Sequence, residues 1–373
     1  MTMIDRVEAV LRKESVDRIP FIPRIDIWYN ALKKNGTLPP DYAGCSLEDI
    51  EKKLEIGCGL RGGRLFRESF PGIEISESVE NGKLTRTYRT PKGELYTKFM
   101  ALPAADGKFR AGEQLEYMIK SENDYDAAIS LFEHAQYSPN YSSCPEYEAR
   151  IGNNGIPIYH NGYDPMFAII HTYVGYDRIF YDLADCPELV DALYNTMARQ
   201  YQGIQEMLLN SPCRFIIHGT HFDQSMTPLR LFEKYMIPYY SSFAEKMKQK
   251  GKKLVFHADA DSRLLLGAFE RCGISMVECF CTAPMVSVTM EDALQAWDGR
   301  IGIWGGLPST IFCPELCPEE MFYAYCEKLF GTLSKSNGGV ILGIADNLMP
   351  QGDIRRVEWV AERVADGAGL PRS

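Results

Sequence analysis

Four of the six histidines end short apolar runs or stand just beyond them, in the company of acids. His160 is followed by Asp164, His218 runs on to His221 and Asp223, and His257 leads into Ala258-Asp259-Ala260-Asp261. Another apolar run ends in Glu278-Cys279-Phe280-Cys281, the first delivers Arg24 and Asp26, and the last reaches Asp346. Imidazole, carboxylate and thiolate are the side chains that move protons and bind zinc. His257 and Asp259 are therefore the leading catalytic candidates, with His221 and Asp223 behind them. His257, Glu278, Cys281 and Asp346 form a candidate metal set, which Cys279 could also complete, and a catalytic zinc would keep one position open. Arg24, Asp26, His160 and Trp304 are candidate substrate contacts. An aspartate at a strand-to-helix junction often only caps the helix, so the collection argues more than any member. His218, behind Ile216 and Ile217, reads as a structural histidine; His134 and His171 read as ordinary helix residues. Cys313 and Cys317 lie in a proline-flanked loop, and the other seven thiols read as structural.

The elements that must carry these residues alternate. Apolar strands are predicted at 156–160, 214–218, 253–257, 275–279, 300–304 and 340–344. Helical stretches at 187–208, 229–249, 262–271 and 318–333 separate them. Continuously apolar strands with amphipathic crossovers mark a parallel sheet. With a strand at 19–25 and one more in the stretch between, the pattern predicts an α/β fold, a (β/α)8 TIM barrel. Its chemistry would sit at the carboxyl ends of the strands. Residues 70–102 break the rhythm: alternating runs around Asn81-Gly82 and Pro91-Lys92-Gly93 predict an inserted N-terminal antiparallel β-meander. The N-terminus predicts a helix from the spacing of Ile4, Val7, Val10 and Leu11, and Ser46 is placed to cap a helix over 47–54. No linker or repeat divides the chain, so one domain over 1–373 is expected, with the meander as a subdomain.

Composition bounds the function. The 373 residues are 45% hydrophobic and 24% charged, and 40 basic against 50 acidic side chains leave a formal charge of −10. That balance excludes an electrostatic nucleic-acid footprint. No apolar run approaches the ~20 residues of a membrane span. Eleven cysteines without an export signal predict reduced thiols and a cytoplasmic location. No Gly-x-Gly-x-x-Gly follows the first strand, and no Walker sequence is present.

Several separated runs resemble the uroporphyrinogen decarboxylase superfamily. They are Arg6-Val7-Glu8-Ala9-Val10-Leu11 with Asp17-Arg18-Ile19-Pro20, Thr90-Pro91-Lys92-Gly93, and Leu183-Ala184-Asp185-Cys186-Pro187-Glu188. His257-Ala258-Asp259 followed by Gly273-Ile274, and Gly305-Gly306-Leu307-Pro308, complete the set in the expected order. The resemblance implies the same barrel and two classes of activity. The decarboxylases grip a polyanionic tetrapyrrole with an Arg-Gln-Ala-Gly-Arg run, whereas here the stretch reads Pro23-Arg24-Ile25-Asp26-Ile27-Trp28-Tyr29. An intervening acid is hostile to a polyanion. The chain is more similar to the corrinoid-dependent methyltransferases. That branch implies methyl transfer between a small methylated donor or acceptor, such as a methoxy-aromatic, and a cobalamin carried by a partner corrinoid protein. Many of its members hold zinc through His-x-Cys and a later cysteine. This sequence keeps His257 but has Asp259 in the cysteine's place, and no cysteine neighbours Asp346 in the chain. Nothing resembling the cobalamin-ligating Asp-x-His-x-x-Gly motif is present, so the corrinoid is expected on the partner. The alternatives are a uroporphyrinogen-decarboxylase-type decarboxylase and a non-catalytic tetrapyrrole-binding barrel.

Overall fold

The computed structural model describes residues 1–104 and 106–370, which divide into two compact units. The first comprises Met1–Arg64, Ser142–Gly162 and Pro212–Ser373; the second comprises Leu65–Tyr141 and Tyr163–Ser211. Strands are numbered along the chain. The first unit holds β1 (Arg61–Gly62), β8 (Ile158–His160), β9 (Phe215–Thr220), β10 (Lys253–His257), β11 (Met276–Phe280), β12 (Gly302–Pro308) and β13 (Val340–Ala345). The second holds β2 (Phe66–Ser69), β3 (Glu74–Glu80), β4 (Lys83–Thr90), β5 (Gly93–Pro103), β6 (Phe109–Glu116) and β7 (Gln136–Pro139).

In the first unit all seven strands pair in parallel, in the order β1-β8-β9-β10-β11-β12-β13. Every residue of β9, β11, β12 and β13 is buried, which is why these runs carry no polar alternation. Crossover helices such as Ile237–Gln249, Met290–Trp297 and Glu319–Leu333 separate the later strands. Val7 and Val10 of the first helix pack with Ile22, Ile158, Ile217, Val255 and Ile341 in one apolar core. That helix, Met3–Leu11, is held at its start by Thr2 and Asp5 in a capping box, and Ser46 with Asp49 does the same for Leu47–Lys53.

A parallel sheet of seven strands, rather than a closed eight-stranded barrel, is therefore observed. The predicted strand at 19–25 is not one. Pro20 and Pro23 have no N–H to give a ladder, and a helix begins already at Asp26. What survives is a single parallel bridge between Phe21 and Leu342. Ile22 donates to the Leu342 carbonyl at 2.8 Å, Leu342 donates to that of Pro20 at 2.9 Å, and Gly57 donates to that of Phe21 at 2.8 Å.

In the second unit β3-β4-β5-β6 form an antiparallel sheet, and β2 pairs with β7 as a separate ribbon. Asn81 and Gly82 both adopt positive φ, 50° and 72°, as the two-residue turn between β3 and β4 requires. The meander runs on past residue 102 to Glu116. β6 escapes the alternation rule because the β5–β6 register shifts twice.

Candidate functional site

β10 and β11 set the geometry, because their register places His257 opposite Glu278. Both side chains are buried. His257 Nδ1 lies 2.6 Å from Glu278 Oε2. Arg61, from β1, donates through Nη2 to both carboxylate oxygens of Glu278 at 2.6 and 2.7 Å. The same Nη2 is 3.0 Å from His257 Nδ1. On the far side of the ring, Nε2 lies 3.2 Å from Asp259 Oδ2. Asp259 in turn meets His221 Nδ1 with its two oxygens at 2.8 and 2.7 Å. An unbroken line of alternating basic and acidic groups therefore runs His221–Asp259–His257–Glu278–Arg61. His221, His257 and Asp259 sit at or just past the carboxyl ends of β9 and β10, where such sheets carry chemistry, while Glu278 lies mid-strand in β11 and Arg61 opens β1.

Local irregularity aims these groups. The β9–β10 register shifts between Val255 and His257, and the β11–β12 register shifts between Glu278 and Phe280. Bulges of this kind re-aim side chains at sheet rims. His221 and Cys279 are left-handed, with φ of 59° and 60°, although neither is glycine. Such residues cost of order 1–3 kcal/mol each and gather at functional sites. Because Cys279 is the extra residue of its bulge, it escapes the alternation that would turn it away from Glu278. Its thiol donates to Asp346 Oδ1 at 3.3 Å. Gly305 lets β12 approach the bulge: a Cβ there would lie 2.5 Å from the Phe280 nitrogen.

The electrostatics follow from burial and pairing. Burial opposes a charge on His257, but Glu278 and hydrogen bonds to Asp259 and Glu278 outweigh it and raise the imidazole to about 9. Burial likewise opposes ionisation of Asp259, yet His221 and His257 hold its carboxyl well below the usual carboxylate range. Glu278 is buried too, and Arg61 and His257 keep it ionised. Burial pushes the Cys279 thiol well up, with Glu278 and Asp346 adding to the effect. His160, half-buried and facing the Arg61 charge, is lowered to about 4 by desolvation first and by that charge second, and stays neutral.

The other sequence candidates fall in different places. Arg24 Nη1 reaches Asp346 Oδ1 at 3.0 Å, and Arg61 Nη2 is 4.0 Å from the same oxygen, so Asp346 joins the rim cluster. Asp26 accepts a hydrogen bond from Asn347 at 2.8 Å, with its carboxylate 3.8 Å from Arg24 Nε. Asp223 caps its own turn, accepting from the Ser225 and Met226 amides at 2.8 and 3.2 Å. Trp304 is a core residue whose indole donates to the Ile22 carbonyl at 2.9 Å. Cys281 is buried beside Cys279 and Ala345. His218 meets the Tyr239 hydroxyl at 2.9 Å inside the core. Arg61 was missed: its strand is two residues long, too short to leave a periodic signal.

Among the described residues, two groups of three could hold a metal ion: His221, His257 and Asp259, and His257, Cys279 and Asp346. In each group the ligand atoms lie within 4.8 Å of one another. The first group fits zinc, the ion the family resemblance implies. Its donors are imidazole and carboxylate, and Glu278 stands behind Nδ1 of His257 as the outer acceptor that ligating histidines need.

No protein-family model matches the chain, and no curated protein sequence matches it. Among solved structures it is similar to a methyltransferase from Methanosarcina mazei, with a TM-score of 0.54, 12% identity, and 98% of each chain covered. That likeness establishes a shared fold over the full length. No helix among the described residues is long and apolar enough to cross a membrane.

Proposed function

We propose that this chain is a methyltransferase. It moves a methyl group between a small methylated substrate, such as a methoxy-aromatic or methylated amine, and a cobalamin carried by a partner corrinoid protein. The observation that carries the reading is the line His221–Asp259–His257–Glu278–Arg61. The shared fold with a methyltransferase agrees with it. The same reading takes Pro20–Ile22, bonded to Leu342 on one side and Gly57 on the other, as the eighth stave of a (β/α)8 barrel.

Demethylating an ether or amine leaves a basic oxygen or nitrogen. That atom must receive a proton or meet a Lewis acid as its bond to carbon breaks. His257 stays protonated to about pH 9 and offers its Nε2 proton on the Asp259 side of the ring. His221, whose side chain is 41% exposed, shares that carboxylate and replaces the proton from solvent. Glu278 and Arg61 fix the ring from behind. Neutral His160 donates its ring N–H to a substrate oxygen. Zinc, when bound, would be held by His221, His257 and Asp259 and would supply the Lewis acid at the ether oxygen. A decarboxylase of polyanionic tetrapyrroles is disfavoured, because Arg24 and Arg61 are already matched by Asp346 and Glu278.

The test is anaerobic transfer from a methoxy-aromatic to reduced corrinoid protein, followed by the cobalamin absorbance. His257→Ala is expected to lose on the order of 10²-fold or more. Undiminished transfer by that variant rejects the reading, and carbon dioxide release from uroporphyrinogen replaces it with the decarboxylase.

A further inference from the structure

His257 belongs to both groups of potential metal ligands, yet the two are not equally open to a cation. Arg61 already stands in one of them. Its Nη2 is 3.0 Å from His257 Nδ1 and 4.0 Å from Asp346 Oδ1 while it donates to Glu278. Arg24 Nη1 adds a second positive charge 3.0 Å from the same Asp346 oxygen. On the other side of the ring, the ion-pair partners of Asp259 among the described residues are the two imidazoles. An imidazole can yield its proton to a metal; a guanidinium cannot leave its own charge behind.

We propose that Arg61 is a built-in counter-cation that closes the His257–Cys279–Asp346 group to metal ions and directs a bound cation to His221, His257 and Asp259. The inference rests on the proposed reading of this rim as an acid site and deepens it. Nitrogen and oxygen ligands leave more positive charge on a metal than thiolates do, because thiolates donate electron density. A site kept free of sulfur is thus suited to polarising an ether oxygen, and the substrate class it favours is an oxygen-linked methyl donor rather than a thiol.

Cobalt(II) titration of the purified chain reads the ligand set directly, through the thiolate-to-cobalt charge-transfer absorption in the near ultraviolet. The wild-type chain is expected to bind cobalt without that band. Arg61→Met is expected to gain it, and Arg61→Met with Cys279→Ser to lose it again. Arg61→Lys, which keeps the charge, is expected to stay without it. Arg61→Gln carries the same expectation as Arg61→Met, should the latter fail to fold by circular dichroism. A thiolate band in the wild type or in Arg61→Lys overturns the inference, and so does its absence from folded Arg61→Met and Arg61→Gln. A wild type that binds no cobalt overturns the directing half of the inference, even beside an Arg61→Met variant with the band. That result would remove zinc from the proposed mechanism, and the His257→Ala transfer assay then tests the proton route by itself.

Discussion

The meander and the rim of the parallel sheet both pair arginines with acids, but over different reaches of chain. In the meander, Arg86 meets Glu77 nine residues away, and Arg89 meets Glu94 five residues away and Glu74 fifteen away. Lys98 meets Glu116 at a separation of 18. At the rim, Arg61 meets Glu278 across 217 residues and Arg24 meets Asp346 across 322. The meander pairs join cross-strand neighbours that are exposed or half-exposed, where water screens them and each contributes about 0–1 kcal/mol. Glu278 is buried, and water cannot replace its partner. The contrast teaches that the same two residue types decorate one region and determine the arrangement of the other.

The largest expected effect is at the rim. Glu278→Ala leaves the half-buried Arg61 without its nearest counter-charge and is expected to destabilise the first unit by about 2–3 kcal/mol, read by denaturant unfolding. Glu77→Ala in the meander should cost less than about 1 kcal/mol in the same measurement. Equal losses at the two positions would break the comparison.

Two buried groups sharpen it through pH. Glu51 is buried, and burial raises its carboxyl to about 7. The folded chain then binds more protons than the unfolded one between about 4.5 and 7, so stability falls as pH rises through that window. Glu51→Gln is expected to remove that fall and gain roughly 3 kcal/mol at pH 8, read from unfolding at pH 4.5 and pH 8. A variant no more stable than wild type at pH 8 contradicts the burial argument. His257 acts in a higher window. Raised to about 9, it contributes stability that is complete below about 6.5 and lost as pH climbs to 9. Methyl transfer is expected to decline over the upper part of that range, and a flat profile up to pH 10 would remove His257 as the proton source. The smallest effect belongs to the hairpin turn: Gly82→Ala, at φ of 72°, should cost about 1 kcal/mol in thermal unfolding of the second unit.

Much of the fold could be read without coordinates. The runs at 253–257 and 340–344 lie within a residue of β10 and β13, because a strand buried on both faces announces itself by unbroken apolarity. Asn81-Gly82 announced its turn because positive φ is a local demand. Where the signal was short or interrupted, the reading failed: β1 is two residues long, β6 is bulged, and prolines reduced 19–25 to one bridge.

The site divides the same way. His257, Asp259, Glu278 and His221 were legible as chemistry-bearing residues at strand ends, since residue type and strand register are properties of short segments. That Asp259 joins two imidazoles, that Cys279 reaches Asp346, and that Arg61 is the charge behind Glu278 came only with the folded chain. Those contacts are made between segments up to hundreds of residues apart and through bulges that cancel the two-residue period. Local patterning is a one-dimensional signal and settles which groups are on hand. Which of them neutralises which is settled by low-dielectric packing across the sheet, where each buried charge must find its partner in three dimensions.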